Sequence, residues 1–494
     1  MSLFNNLPSI PSFRPAFNIG GGLDIPCGAY HIGKHGESIL NGGLSNIVSL
    51  AGPGNSFKTV IMLFINLSVA NRINQYKVSL YDTESSLSYD RVNQLSERFA
   101  NLCDIDHGSD FLSPDELRIL ITSSADILGD VYFDEILKIA SEKRKSKAPL
   151  LETPFFTPAG KPISLLPPTG SMIDSLSEFK VTANETNIVD KNSLGESGNN
   201  ILYMRQGIAK KQLITQLPNM CVNSGLYFTM TAHIGDEFDI GGMMAPKKHK
   251  LTHAKKGSKI TGTTKAFEFI NNALYEIFDC GLLNNKEYQT GVLYPVIESD
   301  RAPDCTDLLK IHLKLTRNKS GPSGACIDLI VSQREGVLAH LSQFHYIKEE
   351  DRFGLVGNNT SYALALVPDI KLSRTTVRGK IDEFPEVRRA LEIISELLQI
   401  KTLWAELPDN LMCTPEELYN DIKALGYDWN VLLNTRGYWV FNESENDELP
   451  YLSTMDLLKV RKGLYTPYFL NPDYIKKSKG FLNETLTKVV GMRQ

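Results

Sequence analysis

The sequence predicts an α/β fold, a mostly parallel sheet flanked by helices, with a smaller and mainly helical C-terminal domain. Three observations predict it. The apolar strand Ile47 to Leu50 leads into the Gly-rich turn Ala51-Gly-Pro-Gly-Asn-Ser-Phe-Lys-Thr59. That turn leads into Val60-Ile-Met-Leu-Phe-Ile-Asn-Leu67, apolar on all sides as a helix buried under a sheet would be. From there to about Leu338 strand-like and helix-like stretches alternate, the signature of parallel strands joined by helical crossovers. Beyond Val367 the character changes to amphipathic helix. The expected division is 1–39 as an N-terminal extension, 40–367 as the α/β core and 368–494 as the C-terminal domain.

Length and composition bound the classes. A chain of 494 residues holds two or three domains at roughly 150 residues each. With 42% hydrophobic residues it can bury a large core. The net charge is −5, so no global basic field attracts nucleic acid, and such binding must come from a local patch. The seven cysteines (27, 103, 221, 280, 305, 326, 413) are scattered without a C-x-x-C pair, as expected of reduced thiols rather than a disulfide frame or zinc site. Met-Ser-Leu-Phe-Asn-Asn lacks a basic region followed by an apolar one, and no apolar run approaches the ~18 residues that span a bilayer. The expectation is a cytoplasmic protein with no membrane partner.

In chain order, residues 1–20 are rich in Pro and Asn and expected to be extended. Phe13-Arg-Pro-Ala16 within them has the shape of a short F-x-x-A docking peptide. Residues 21–50 carry Gly-rich turns. Lys77 to Tyr81 is a strand ending in Asp82-Thr-Glu84, and Glu116 to Thr122 is another, followed by a helix from Val131 to Lys143. Phe155 to Leu166 reads as a hairpin around Pro158-Ala-Gly160. Gly170-Ser-Met-Ile-Asp174 is the next strand end. Polar Glu178 to Asn200 is a loop, Ile201 to Leu217 a helix ending at Pro218, and Gly225 to Thr231 a strand ending in Ala232-His233. Gly235 to about Lys265 is a second long loop, and loops of that length in a compact domain are functional or disordered. Leu308 to Leu315 and Ala325 to Val331 are β-runs joined by Thr316-Arg-Asn-Lys-Ser-Gly-Pro-Ser-Gly324. Phe384 to Leu403 and Thr414 to Leu425 are helices, the second with an N-capping Thr-Pro-Glu-Glu start, and Trp429 to Phe441 is a short helix plus a strand.

The chemistry gathers at strand ends, where open α/β sheets bind ligands. Strand, Gly-rich turn and helix opening with Lys-Thr form the phosphate-loop layout, in which backbone N–H groups and the helix N-terminus face an anion. Gly52, Pro53, Gly54, Asn55, Ser56, Phe57, Lys58 and Thr59 make that loop. Lys58 would reach the β- and γ-phosphates and Thr59 would hold Mg²⁺. Phe57 departs from G-x-x-x-x-G-K-[ST], standing where the second Gly belongs. Asp174 suits the carboxylate that orients Mg²⁺, or else caps a helix. Glu84 is placed to deprotonate an attacking water, or is a solvated loop acid. His233 reads as a γ-phosphate sensor or a packed residue, and Tyr89 as an adenine platform or a residue packed under its helix. The second loop holds Lys247, Lys248, Lys250, Lys255, Lys256, Lys259 and Lys265 with no acid from 246 to 265. That basic patch suits the backbone of single-stranded nucleic acid rather than base readout, its alternative being a solvated charge run. Arg317 and Lys319 in a turn read alone as a basic turn, or as cations that complete a neighbour's ATP site in trans.

In order, these motifs resemble the RecA family of recombinases, and within it the UvsX recombinases of T-even-type phages. Leu50-Ala-Gly-Pro-Gly-Asn-Ser-Phe-Lys-Thr59 looks like the UvsX phosphate loop, its Phe included. Tyr81-Asp-Thr-Glu84 resembles the strand with the catalytic glutamate, Ile173-Asp-Ser-Leu176 the Walker B end, Ala232-His233 the strand end that links γ-phosphate to a DNA-binding loop, and Arg317-Asn-Lys319 the paired cations that cross the filament interface. Glu178–Asn200 and Gly235–Thr264 fall where the family keeps its two DNA-binding loops. The resemblance covers roughly residues 40–345. The span from Glu84 to Asp174 is longer than the family needs, the spacing to Tyr89 shorter, and the C-terminal domain unmatched.

The resemblance implies a RecA-like P-loop ATPase core with ATP and Mg²⁺ as cofactors. It implies a DNA-dependent ATPase that forms filaments on single-stranded DNA and exchanges strands with a duplex, in recombination, repair or recombination-dependent replication. Partners would be single- and double-stranded DNA, further copies of the chain, and single-strand-binding and loader proteins, in the host cytoplasm or nucleoid if the origin is phage. The alternatives are a DnaB-type ring helicase, whose basic Gly-Pro turn 317–324 resembles, and a non-catalytic RecA-fold accessory protein.

Overall fold

A computed structural model describes residues 14–113, 115–157, 159–182, 199–235, 259–285, 291–358, 360–404, 410–443 and 449–471. A hairpin of β1 (Ala29–Ile32) and β2 (Ser38–Asn41) precedes β3 (Ile47–Gly52), which is buried along its whole length. Gly52 passes through the phosphate-loop turn into helix α1 (Lys58–Arg72), whose buried residues run without a break from Ile61 to Ala70. After β4 (Lys77–Asp82), α2 (Tyr89–Ser96) and β5 (Ile119–Ser123) comes α3 (Gly129–Lys145). The expected hairpin is present as antiparallel β6 (Leu151–Phe156) and β7 (Pro162–Leu165). β8 (Thr169–Asp174) leads by way of the helix Asn199–Cys221 to β9 (Leu226–Gly235), β10 (Lys259–Ile260), the helix Lys265–Ile270 and β11 (Ala273–Leu282). The long strands β12 (Leu308–Asn318) and β13 (Cys326–Ser332) follow, with short β14 (Gly336–Val337).

These build one large, mostly parallel sheet in the order β14-β13-β12-β11-β3-β9-β8-β4-β5, with β10 beside β9. From β11 to β5 all neighbours are parallel, while β11-β12-β13-β14 and β10-β9 pair antiparallel. Parallel strands covered on both faces read as continuous apolar runs. One face packs on α1 through Leu50, Met62, Phe64, Met172 and Tyr275. The other packs on α3 and the helix Asn199–Cys221 through Tyr81, Phe133, Ile173, Leu217 and Met230.

Pro218 does not end its helix, which continues to Cys221. The ring sits in the last turn. There the carbonyls of Asn219, Met220 and Val222 are taken by the Arg144 guanidinium of α3, at 2.6, 3.1 and 3.0 Å. A cation at a helix C-terminus stabilises carbonyls that no helical N–H reaches.

The C-terminal region is richer than the sequence suggests. A three-stranded antiparallel sheet, β15 (Leu355–Gly357), β16 (Tyr362–Leu364) and β17 (Val367–Leu372), straddles the expected boundary at 367. Helices Val377–Glu383, Pro385–Leu403, Pro415–Ala424, Trp429–Leu433 and Thr454–Arg461 follow. The expected strand before Phe441 is absent among the described residues. Instead a single bridge joins Arg436 to Tyr451. The helices share one core with Ile25, Leu40, Leu338 and Phe344, so they do not stand apart from the rest. Residues 14–27 are not a free extension. Phe17 is buried and stacks on Trp439 at 5.1 Å, and the Ala16 carbonyl accepts from Trp439 Nε1 at 2.9 Å. Ala16 is thus held inside its own chain, which removes it as the anchor of a docking peptide, and Phe13 lies outside the described residues. All seven cysteines are unpaired. No described helix is long and apolar enough to cross a membrane.

Candidate phosphate-binding site

The register of the parallel strands decides which residues meet. Gly52 on β3 lies opposite His233 on β9, and Asp82 on β4 lies opposite Asp174 on β8 and Ser123 on β5. Five strand ends therefore open on one edge of the sheet, and the phosphate loop turns there.

The loop is shaped by its own chain. A Cβ on Gly52 would come within 2.8 Å of Ser56 Oγ and 3.0 Å of Ile277 Cδ1, so a larger residue would have to displace those side chains. Phe57 adopts φ 62°, ψ 24°, the left-handed conformation that the second Gly of the common pattern would supply without strain. The Phe ring packs against the core below α1, which offsets that cost. Ser56 Oγ and Lys58 Nζ both donate to the Pro53 carbonyl, at 2.7 and 2.6 Å. Burial lowers the Lys58 pKa, against the opposing pull of Asp174 and Glu84.

Asp174 is the centre of the site. One carboxylate oxygen accepts from the Thr59 hydroxyl and the other from the Thr231 hydroxyl. Burial raises its pKa, the two hydroxyls work against that, and Glu84 and Asp82 add to it. A buried carboxylate beside a hydroxyl is a hard oxygen pair of the kind Mg²⁺ takes, with phosphate and water as the remaining ligands. Among the described residues no group of three or more His, Cys, Asp or Glu could hold a metal unaided. The Asp174 carboxylate and the Thr59 hydroxyl are oxygen donors of the kind that fit a metal arriving with a phosphate.

Glu84 is half exposed, with Oε1 3.1 Å from His233 Nε2 and 3.5 Å from Ser175 Oγ. Its backbone is held by Asp82, whose carboxylate accepts from the N–H groups of Glu84, Ser86 and Leu87 at 3.0, 2.7 and 2.7 Å. Thr83 Oγ1 accepts from Ser175 N at 2.7 Å and donates to Ser175 O at 2.9 Å, lacing the β4 end to the β8 end.

Lys58, Thr59, Asp174, Glu84 and His233 are brought together. Tyr89 is not. It sits beyond edge strand β5, where its hydroxyl accepts from Ile121 N at 2.9 Å, and Gly108 presses so close that an added Cβ would lie 2.9 Å from Tyr89 Cβ. It braces an edge strand rather than offering a ring face to adenine. Arg317 lies at the end of β12 and Lys319 just beyond it, and β12 runs antiparallel to β11, so both lie at the opposite end of the sheet from the phosphate loop. Arg317 Nε donates to Asn271 O at 3.1 Å and Lys319 Nζ to Ile270 O at 3.0 Å. Lys247, Lys248, Lys250, Lys255 and Lys256 lie outside the described residues, and of Lys259 only the backbone, in β10, is described.

The residues that sequence reasoning missed are Thr231, Thr83, Ser175 and the holding role of Asp82. Thr231 had a signal. Thr229 and Thr231 are polar at a period of two inside a buried strand, and such residues need partners. Thr229 finds Asn66 Nδ2 at 2.9 Å, and Thr231 finds Asp174.

No protein-family model matches the chain, and no curated protein matches it. Among solved structures it is similar to a DnaB-like replicative helicase, described with its interactions with primase, at 15% identity and a TM-score of 0.31. The likeness covers 59% of this chain and 57% of the helicase chain, so the chain spans little more than half the length of that relative. A likeness that distant fixes neither activity nor partner.

Proposed function

We propose that the chain is an ATP-dependent DNA recombinase of the RecA type, closest to the UvsX recombinases, acting as a filament on single-stranded DNA. The observation that carries this reading is the split between the two ends of the sheet. Lys58, Thr59, Asp174, Glu84 and His233 share one edge, while Arg317 and Lys319 close the other. Within one chain those cations cannot reach the phosphate loop, and a second copy stacked end to end would bring them there.

In this reading the N–H groups of 52–59 and the Lys58 ammonium hold the β- and γ-phosphates of ATP. Thr59 and Asp174 would hold Mg²⁺, which supplies charge neutralisation at the phosphates when bound. Glu84 takes a proton from the water that attacks the γ-phosphorus, and the Glu84–His233 contact places that carboxylate. Arg317 and Lys319 of the next copy stabilise charge on the γ-phosphate. The lysines from 247 to 259 neutralise the DNA backbone, and each phosphate contact adds to a salt-dependent affinity.

The test is ATP hydrolysis with and without single-stranded DNA, together with electron microscopy of the product, for wild type, Lys58→Ala and Glu84→Gln. The reading expects DNA-stimulated turnover, DNA-coated filaments and strand exchange. It expects binding to weaken in Lys58→Ala, and turnover to fall by about 10²–10⁴ in Glu84→Gln. Closed rings that unwind duplexes would replace the recombinase with a ring helicase, which needs the same trans cations. ATP bound without turnover, and unaffected by Glu84→Gln, would make it an accessory protein.

A further inference from the structure

Lys210 lies on the helix Asn199–Cys221 and is 5% exposed. Its ammonium donates to the carbonyls of Leu176, Ser177 and Gly262 at 3.3, 2.9 and 2.9 Å. All three donors of an ammonium are used, none of them on a carboxylate. Burying a cation this way is unfavourable, and a methionine would fill the space without the charge. What the charge adds is a grip on three backbone carbonyls from two separate segments.

Those segments flank the phosphate site. Leu176 and Ser177 come two and three residues after Asp174, and Gly262 lies where the chain returns after His233. Ser177 Oγ accepts from His233 N at 2.8 Å and donates to Thr261 O at 2.8 Å. Thr261 N donates to His233 O at 2.8 Å. Gly262 has φ +66°, and a Cβ there would stand 2.6 Å from Ser177 O and 2.9 Å from Ser177 Cα, so the two backbones touch and only glycine fits. On the other side, the His233 ring meets Glu84 at 3.1 Å.

We infer that Lys210 is a positioning residue that locks the bases of both segments, 175–182 and 259–264, to His233 as one unit, so that occupancy of the phosphate loop is felt in both. This rests on the phosphate-site reading above. Without the ammonium, the Ser177 and Gly262 carbonyls lose it as a donor and the two bases move separately.

The experiment is hydrogen–deuterium exchange on the full chain, with and without adenylyl imidodiphosphate and Mg²⁺, for wild type, Lys210→Met and Gly262→Ala. In wild type, nucleotide should slow exchange at 52–59 and at both bases. In Lys210→Met the slowing at 52–59 should persist, with nucleotide affinity within about threefold, while the nucleotide-dependent slowing at 259–264 is lost. Gly262→Ala pushes the bases apart by another route and should do the same, which keeps the test alive if Lys210→Met fails to fold. A slowing at 259–264 that survives in the variants overturns the coupling and leaves the nucleotide site standing. So does exchange that rises equally with and without nucleotide, because that marks a merely structural lysine. No response at 52–59 in wild type overturns the nucleotide site, and the coupling with it.

Discussion

At the scale of single residues, the site depends on groups that hold other groups. Phe57 is the clearest case. As a break in the glycine pattern it looks unfavourable, yet its backbone adopts the left-handed conformation that the pattern's glycine exists to supply. A side chain there costs about 1 kcal/mol relative to glycine, and contacts of the ring with the core offset it. Phe57→Gly should therefore be about 1 kcal/mol more stable than Phe57→Ala in thermal or denaturant unfolding, since both lose the ring and only alanine keeps the strain. Equal stability would show that the φ there is not strained. Asp82 is the second case. Three loop N–H groups rest on its carboxylate, and the loop carries Glu84. Asp82→Ala should lower turnover by about 10²-fold by misplacing Glu84, with nucleotide affinity little changed. A loss confined to affinity would put Asp82 in the binding machinery instead.

At the scale of elements, buried acids fold the N-terminal segment on itself and, through Asp456, tie it to the C-terminal helices. Ser38 N donates to Asp456 at 2.7 Å, and the Tyr451 hydroxyl donates to Ser38 O at 3.0 Å. Ile19 N and Gly20 N donate to Asp24 at 2.7 and 2.8 Å. Burial pushes Asp24 and Asp456 up to about 6 and Glu37 up to about 7. Because these folded-state values lie above the unfolded ones, the native state holds the protons more tightly. Their contribution to stability is full below about pH 4 and is lost as pH rises through 6 to 7. Each group is worth on the order of 1–3 kcal/mol. The melting temperature should fall between pH 5 and pH 8, and Glu37→Gln should flatten that fall. A melting temperature that rises over this range would refute the assignment. The sequence marks some of these elements and not others. Helices with caps were legible, as in Thr414, whose side chain accepts from Glu417 N in a capping box. The short strands β15 to β17 were not, because three to six residues carry too little periodicity to be told from loop.

At the scale of the whole molecule, the two ends of the sheet make a prediction about assembly. If Arg317 and Lys319 act on a neighbour's phosphate site, then Lys58→Ala and Arg317→Ala should each be inactive alone. Mixing them should restore up to about a quarter of the wild-type rate, since one interface in four pairs an intact loop with intact cations. No recovery on mixing would confine Arg317 to its own chain. The lysine-rich segment makes a second. Replacing Lys247, Lys248, Lys255 and Lys256 by Ala should weaken single-strand binding and lower the slope of log K against log salt by up to about 3. An unchanged slope would return the segment to a solvated charge run.

The sequence by itself determined the phosphate loop, the polar ends of the parallel strands and the alternation that makes the sheet. Each of these is local, written in periodicity and in residue types at fixed spacing. Only the tertiary structure decided how those ends meet. Strand register sets Asp174 between Thr59 and Thr231, and Glu84 against His233, and register is a long-range choice. The structure also withdrew Tyr89 to a sheet edge, buried Ala16 under Trp439, and placed the Lys210 ammonium among three carbonyls. A lone tyrosine, alanine or lysine carries no mark of its partners in sequence, because what it does depends on chain tens to hundreds of residues away.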